Sequence, residues 1–390
     1  MTDSKTEAPA PRVSALNVTD HPDKGSQVGV IAKRTYLVRG GRCVVADQQV
    51  ALVEEPQTTQ DGAELLHDLD IVLNRRNTDV IILGKAHPLH KARSFEICVR
   101  IGGLDRRLLA FGDRRCWRDQ AGRLRFSEPE PVEEFDLGWT SAYGGVDVSA
   151  LKAHGDPIEA MMKDAGQPYE PKFGLYAYPR NRVGKGYLIE ATDEALSACA
   201  LPNIERRSQR LTPERLAQGK RDRWPHGPIV AGLGWLSYGS FPRMAMLGMP
   251  PPYDPVACPP EGFREVEVGL LKAKSIAPAT PLQDRFDLGA AQESAVGMRV
   301  AESKPGASAE LQNCHPQHSV WAFELSREVP SLALQLPEQK PVALEPKIRT
   351  VLIQPELNRI CIVWVAEHRE PTPIGPGKRA QIKHGVKWHG

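Results

Sequence analysis

The sequence predicts a mainly β fold of the α+β class, with twisted antiparallel sheets in a sandwich-like arrangement, a few short helices and long ordered loops. The chain contains 33 glycines and 34 prolines among 390 residues, and these residue types favour frequent turns over long helices. Several segments alternate apolar and polar residues, which is typical of strands with one buried face. Short turn sequences separate pairs of these segments, as in β-hairpins.

Three β-hairpins account for most of the predicted strands. Their paired segments and turns are 28–38 and 43–53 around 39–42, 94–101 and 106–111 around 102–105, and 350–354 and 359–365 around 355–358. The first two turns contain Gly-Gly pairs, and glycine tolerates the positive φ that tight turns need. Further strands are predicted at 79–84 and 319–325.

Two short helices are predicted from their end signals. Asp156 is a candidate N-cap, Pro157 fits the first helical position, and Glu159 fits a capping box. Gly166 is the expected end of this helix. A second helix with the same kind of start is predicted at 212–219.

The predicted organisation has four parts. Residues 1–27 are polar and are expected to form a flexible leader, followed by a β-rich N-terminal domain at 28–150. Residues 151–370 are expected to form a β-rich region with short helices. That region includes a loop system at 219–265 that is rich in aromatic residues, proline and glycine. A flexible tail is expected at 371–390.

Composition favours a protein of the cytoplasm. Fifty basic and 48 acidic side chains give a net charge of +2, which provides no electrostatic argument for nucleic acid or an anionic membrane. The N-terminus lacks the apolar segment of a signal peptide, and no run of about 18 apolar residues predicts a membrane span. The seven cysteines are scattered and odd in number, which indicates a reducing compartment rather than a disulfide framework.

Glycine segments that carry a lysine suggest phosphate loops at 181–187 and 375–379. A P-loop needs a serine or threonine directly after the lysine and a longer spacing between its glycines. Gly186 and Arg379 stand at that position here. Both segments are therefore interpreted as turns, and no cofactor is predicted.

Two histidine segments are the candidates for metal ligands. They are 87–90, which contains His87 and His90, and 314–318, which contains Cys314, His315 and His318. Zinc needs three or four converging ligands, and neither segment supplies a complete set. No metal site is therefore predicted.

Nothing in the sequence predicts a catalytic centre. There is no GxSxG nucleophile elbow. Carboxylates do crowd into one acidic run, but prolines interrupt it and such a run is usually a solvated surface. Its members are Glu128, Glu130, Glu133, Glu134 and Asp136. No catalytic residue is named, and the chain is predicted not to be an enzyme.

A basic run is the strongest charge feature. Two interpretations remain open, namely charged edge strands that resist aggregation and a binding site for an acidic partner. The arginines concerned are Arg106, Arg107, Arg114, Arg115, Arg118, Arg123 and Arg125.

An ordered series of short motifs carries a resemblance to a known family. The motifs are DIV at 70–72, NTDVIILGKA at 77–86, RIGG at 100–103, FGDRR at 111–115 with Trp117, AYGGVD at 142–147, NRVGKG at 181–186 and LPNIE at 201–205. Weaker matches follow in AELQNCHP at 309–316, FEL at 323–325 and VW at 363–364. This order resembles the bacterial domain-of-unknown-function family encoded beside the VgrG spike and PAAR tip proteins of type VI secretion systems.

The resemblance implies a binding role without turnover. Members of that family resemble adaptors or chaperones that hold a secreted effector and help to load it onto the VgrG–PAAR tip. The expected partners are therefore an effector and the VgrG or PAAR protein. Aromatic and methionine side chains in the loop system suit such an interface, and the candidate anchors are Trp235, Tyr238, Phe241 and Met244.

Other interpretations remain open at this point. The same four side chains also suit a hydrophobic core. The chain also fits a hydrolase or carbohydrate-active β protein that uses a carboxylate pair in the aromatic-rich region. A purely structural component of the secretion apparatus is a further alternative.

Overall fold

A computed structural model describes residues 11–21, 25–60, 64–71, 73, 75–217, 227–228, 230–236 and 294–389. The chain is mostly β, with 42% strand and 14% helix, as the sequence predicts. The strands are β1 Ser14–His21, β2 Gly25–Arg39, β3 Arg42–Val45, β4 Gln57–Thr58, β5 Leu65–His67, β6 Thr78–Ile82, β7 Lys85–Ala86, β8 Ser94–Ile101, β9 Leu104–Phe111, β10 Cys116–Arg118, β11 Leu124–Phe126, β12 Phe135–Asp136, β13 Tyr143–Gly144, β14 Lys185–Gly186, β15 Ile204–Glu205, β16 Arg299–Val300, β17 Ser308–Gln312, β18 Val320–Glu324, β19 Val329–Gln335, β20 Val342–Leu344, β21 Lys347–Gln354, β22 Arg359–Glu370 and β23 Lys383–His389. The helices are α1 Val148–His154, α2 Pro157–Asp164, α3 Asp193–Ala198, α4 Pro213–Ala217 and α5 Pro376–Arg379.

One large curled sheet forms the body of the fold. Its strand order is β15-β9-β8-β17-β18-β3-β2-β22-β21-β6-β16, and β1 also pairs with β2. Most neighbouring strands are antiparallel, but β21 and β6 are parallel. β18 and β3 are also parallel and share a single residue pair, Glu324 with Arg42.

Both faces of the long strand β2 are buried, so this strand lies in the centre of the fold. Val28, Val30 and Ala32 pack with Leu332 and Leu334 of β19, so the three-stranded sheet β20-β19-β23 covers one face. On the other face, Ile31 packs with Ala15, Leu52, Leu73, Val363 and Val365. This two-layer packing agrees with the predicted sandwich-like arrangement.

The three predicted hairpins are present, and their turns have the expected backbone geometry. Gly40 and Gly41 join β2 to β3 with φ of 55° and 74°, and Gly102 and Gly103 join β8 to β9 with φ of 54° and 94°. Asn358 ends the turn between β21 and β22 in the left-handed region. β3 ends at Val45, so the prediction of a strand as far as residue 53 was too long.

The predicted leader and tail both contribute strands to the described structure. β1 lies within residues 1–27 and pairs with β2 from Ser14–Ala32 to His21–Gly25. β23 lies within 371–390 and pairs with β19 along its whole length. Parts of both segments that were predicted to be flexible therefore form paired strands. Their stability comes from remote partners, which local composition does not reveal.

The predicted boundary near residue 150 does not separate two sheets. β2 pairs with β22, β8 pairs with β17, and β6 pairs with β21. The segments 28–150 and 151–370 therefore interleave in one sheet. Hairpin patterns identify strands but do not identify partners that lie far apart along the chain.

The two predicted helix starts are observed. Asp156 accepts a hydrogen bond from the backbone N–H of Ile158 at 2.9 Å and caps α2. α4 begins at Pro213, and the predicted stop at Gly219 lies outside the described residues. Most of the loop system at 219–265 also lies outside them. None of the helices in the described ranges is long and apolar enough to cross a membrane.

Candidate protein-binding surface

The motifs FGDRR and LPNIE meet at one edge of the large sheet. β15 pairs with β9 through Ile204 and Ala110, which brings the carboxylate of Glu205 into an ion pair with Arg114. The side chains of this pair are only 3–4% exposed. Arg114 also stacks on the ring of Phe111, 4.3 Å from its centroid. The two motifs therefore form one buried structural network.

A hydrogen bond between side chains completes this network. The amide of Asn203 donates to Asp113 at 3.0 Å and to the carbonyl oxygen of Phe111 at 3.1 Å. Asp113 and Arg114 are adjacent in FGDRR, yet they hold different residues of LPNIE. Asp113 itself is exposed, whereas Arg114 and Glu205 are buried and need each other because an unpaired charge is costly away from water.

The motifs AYGGVD and NRVGKG form a second contact, in which backbones cross closely. β13 and β14 are parallel neighbours, and the side-chain amide of Asn181 donates to the carbonyl oxygen of Trp139 at 2.8 Å. A Cβ atom on Gly145 would lie 2.3 Å from the carbonyl oxygen of Gly184. Only glycine fits at such an approach. The segment 181–187 is thus a turn followed by β14, as predicted, whereas 375–379 contains the short helix α5 rather than a simple turn.

Buried polar groups also fix the motif NTDVIILGKA. Asp79 is 2% exposed, accepts from the hydroxyl of Ser294 at 2.6 Å and pairs with Arg75 at 2.7 Å. The hydroxyl of Thr78 donates to the carbonyl oxygen of Ile348. These contacts join β6 to the segments beside it.

Asp70, the first residue of the motif DIV, forms a buried ion pair with Lys33 at 2.7 Å. The ammonium also contacts His67 at 3.4 Å. Burial lowers the pKa of His67, and the charge of nearby Asp70 partly opposes this effect. Most of the motif residues in these contacts are buried and stabilise the interior of the fold.

The two histidine segments converge on one end of the large sheet. His87 contacts the carboxylate of Glu356 at 3.2 Å. His315 donates from Nε2 to the side-chain oxygen of Asn358 at 3.0 Å, because its Nδ1 accepts from the backbone N–H of Gln317. We name the set His87, His315, His318, Glu356 and Asn358 the histidine corner.

Ring contacts and burial complete the histidine corner. The rings of His315 and His318 lie 4.6 Å apart, and Trp321 lies 4.9 Å from His315. Burial lowers the pKa of His315, while the hydrogen bond to Asn358 opposes this effect. The corner is therefore a packed arrangement that favours neutral His315.

Three exposed apolar residues lie close along the chain or along its backbone hydrogen bonds to residues of the histidine corner. Leu89, Leu357 and Val320 are 68%, 52% and 50% exposed. Leu89 follows His87 by two residues, and Leu357 lies between Glu356 and Asn358. Val320 follows Ser319, whose carbonyl oxygen accepts a hydrogen bond from the backbone N–H of Asn313. The carbonyl oxygen of Asn313 in turn accepts from the N–H of His87 at 2.9 Å. Exposed apolar side chains grouped beside polar ones are typical of protein-binding surfaces.

A break in the large sheet lies next to this corner. Two backbone hydrogen bonds show which residues of β18 bond to β17. The N–H of Asn313 donates to the carbonyl oxygen of Ser319, and the N–H of Leu325 donates to that of Ala307. By alternation, Val320 and Ala322 direct their backbone N–H and C=O groups toward the opposite edge. β3 meets that edge only at Glu324. The edge of β18 is thus left largely unpaired by β3.

Two grooves flank the single contact between β18 and β3. One, of about 470 Å³, is lined by Gly41, residues 100–104, 308–310 and 322–324. The other, of about 440 Å³, is lined by Arg42, Cys43, Val45 and residues 324–328. Val45 and its neighbour Val44 are 39% and 45% exposed. The histidine corner and this sheet break together form the candidate protein-binding surface.

The predicted anchors fall elsewhere or outside the described residues. Trp235 is 1% exposed, and its ring lies 5.2 Å from His67, so it has the core position that the sequence analysis left open. Tyr238, Phe241 and Met244 lie outside the described residues, as does most of the region invoked for a carboxylate pair. Leu89, Val320 and Leu357 could not be singled out from the sequence, because a single exposed apolar residue gives no local signal.

Most of the basic run is paired within the fold. Arg114 bonds to Glu205, as described, and four others pair with surface acids: Arg107 with Asp105, Arg118 with Asp193, and Arg123 and Arg125 with Asp119. Hydrogen bonds from the backbone of Arg123 and from the Arg125 and Arg123 side chains lower the pKa of Asp119 to about 2. This pairing favours charged strands over an acidic partner site.

The acidic run is exposed at every carboxylate, as expected for a solvated surface. Glu134 pairs with Lys85, and Glu133 lies 3.6 Å from Lys91. Across the described ranges, no three His, Cys, Asp or Glu residues are arranged to hold a metal ion. The prediction of no metal therefore stays a prediction for the whole chain.

Comparison with models of protein families finds a match over most of the chain. A family model described as "Uncharacterized protein conserved in bacteria (DUF2169)" matches residues 23–365. The match extends from just before β2 into β22, so it covers most of the strands of the large sheet. No curated protein and no solved structure matches the chain.

Proposed function

We propose that this chain, which belongs to the bacterial family DUF2169, is a binding adaptor or chaperone of a type VI secretion system. In this role it holds a secreted effector in the cytoplasm and helps to load it onto the VgrG–PAAR tip, without chemical turnover. The proposal rests on the ordered motifs that resemble the secretion-associated family.

One structural observation carries the binding role. Exposed Leu89, Val320 and Leu357 lie close along the chain to a hydrogen-bonded corner, and within the described residues β3 leaves the nearby edge of β18 largely unpaired. Apolar side chains on a preorganised frame favour association, because little conformational entropy is lost on binding. The unpaired edge of β18 offers backbone donors and acceptors to an extended partner segment.

An adaptor must hold its cargo and later release it. Micromolar to nanomolar affinity suits this task, which corresponds to about −8 to −12 kcal/mol. A few apolar anchors provide binding energy of this size when they are fully desolvated.

Co-expression tests the proposal directly. The full chain is produced together with the effector, VgrG or PAAR protein encoded beside it, and each mixture is separated by size exclusion. We expect a stable complex with at least one of them. If no partner co-elutes with the folded chain, and the chain alone turns over a substrate, the adaptor proposal is wrong.

A further inference from the structure

Two cysteines from distant parts of the chain meet beside a small pocket. Cys116 lies on β10 and is 4% exposed, and Cys199 is the C-cap of α3. The sulfur of Cys116 lies 4.0 Å from the carbonyl oxygen of Cys199 and 3.5 Å from that of Leu196. An antiparallel bridge between Arg115 and Ala200 sets Cys116 opposite Cys199. Both are free thiols in this structure.

The pocket gives a small molecule access to this pair. It has a volume of about 220 Å³ and is lined by Cys199, Ala200, Lys185 and the glycines 144, 145, 184 and 186. Cys199 is half-buried, whereas Cys116 lies behind it. A reagent that enters the pocket therefore meets Cys199 first.

The two neighbouring thiols shift each other's pKa in opposite directions. Interaction with the Cys199 side chain lowers the pKa of Cys116, whereas interaction with Cys116, together with burial, raises the pKa of Cys199. A thiolate next to a second sulfur is the arrangement from which disulfides form.

We propose that Cys116 and Cys199 are a thiol-oxidation site that takes a small hydroperoxide and closes to a reversible disulfide. One oxygen of the hydroperoxide is transferred to one sulfur, which becomes a sulfenic acid; the O–O bond breaks, and the corresponding alcohol leaves, or water when the oxidant is hydrogen peroxide. The other sulfur then attacks the sulfenic sulfur, the S–S bond forms, the S–O bond breaks, and water leaves. Two thiols are oxidised and one peroxide is reduced.

The disulfide has a defined structural consequence. It ties β10 to the end of α3 across a separation of 83 residues, next to the glycine crossing of β13 and β14. A crosslink over a long segment stabilises the folded chain by restricting the unfolded one. The sulfurs must approach to about 2 Å, and the bridge between Arg115 and Ala200 already holds the two backbones side by side.

Intact mass and thiol counting test this site. The reduced full chain, with its seven cysteines, is treated with hydrogen peroxide, quenched and alkylated. We expect two fewer alkylated thiols, a peptide that joins Cys116 to Cys199, a higher Tm, and full reversal by dithiothreitol. Cys361→Ser, at a buried cysteine on β22, is the matched control and should retain the crosslink.

Cys199→Ser should abolish the crosslink while the chain stays folded, because this residue is half-buried. Cys116→Ala provides the second test if its Tm shows that it folds. Seven alkylated thiols after peroxide treatment would overturn the proposal. So would a crosslink between other cysteines, or irreversible oxidation of Cys199 without a crosslink.

Discussion

The buried framework and the candidate protein-binding surface use polar residues in opposite ways. In the framework, Arg114 pairs with Glu205 and Lys33 pairs with Asp70, in each case almost fully removed from water. At the histidine corner, similar hydrogen bonds lie close along the chain to Leu89 and Val320, whose side chains are exposed. Polar pairs in the first region maintain the fold, and those in the second region support a surface.

A second contrast concerns the edges of the two sheets. β23, at one edge of the small sheet, exposes Lys383 and Lys387, and lysines on an edge strand oppose pairing with another chain. The sheet break instead exposes Val44, Val45 and Val320. We infer that the break is an edge at which a partner strand is tolerated.

The largest expected effect comes from breaking the buried framework at Arg114. Arg114→Leu should reduce the free energy of unfolding by about 3–5 kcal/mol, because Glu205 is left charged and buried. Denaturant unfolding measures this loss. The double variant Arg114→Leu, Glu205→Leu should recover part of it, and a single variant as stable as wild type would contradict the framework role.

The glycine crossing allows a matched comparison of two glycines. Gly145 and Gly103 both have positive φ, but only Gly145 faces a close backbone oxygen. Gly103→Ala should cost about 1 kcal/mol from backbone strain alone. Gly145→Ala should cost about 2–3 kcal/mol, because overpacking is added. Thermal unfolding ranks the two variants, and equal losses would remove the argument for a close crossing.

Deletion of β1 tests whether the N-terminal segment belongs to the framework. Removing residues 1–24 takes away the pairing with β2 and the packing of Leu16 and Val18. A loss of about 2 kcal/mol or more follows from the apolar area exposed. Deleting residues 1–10, which form none of the described pairs, is the control. An unchanged Tm for the longer deletion would instead support the expectation of a flexible leader.

Acid should weaken the framework through His67. Burial lowers the pKa of folded His67 below its usual 6.5, so the unfolded chain binds the proton more readily. The stability from neutral His67 is present above pH 6.5 and is lost as pH falls through the folded pKa, by at most about 1.4 kcal/mol per pH unit. Unfolding at several pH values should show a shallower dependence for His67→Gln. His90→Gln, at an exposed loop residue, should behave like wild type.

Local features of this fold could be predicted from the sequence, and remote ones could not. The Gly-Gly turns at 40–41 and 102–103 and the cap at Asp156 are written in adjacent residues. The pairing of β23 with β19 depends on segments far apart in the chain. His87 and His315 both contact the turn that contains Glu356 and Asn358, and this convergence depends on the order of strands in the sheet. The two histidine segments, each too small for a metal site, therefore gave no sign in the sequence that they lie together.

The buried framework also explains why the sequence shows the family resemblance but does not reveal the candidate protein-binding surface. FGDRR and LPNIE are recognisable because buried pairs restrict residue identity. Leu89, Val320 and Leu357 lie outside the quoted motifs, and an exposed position restricts identity much less. The anchors chosen from composition therefore included Trp235, which lies in the core.

The most direct test of the central claim compares two exposed apolar sites in the co-expressed complex. Val320→Asp and Leu357→Asp change the candidate protein-binding surface, and Met161→Asp changes α2, where Met161 is 61% exposed. We expect all three variants to keep the wild-type Tm. The two surface variants should weaken binding of the partner at least tenfold, about 1.4 kcal/mol or more, and Met161→Asp should bind normally. Full binding by both surface variants, with Tm unchanged, would contradict the account.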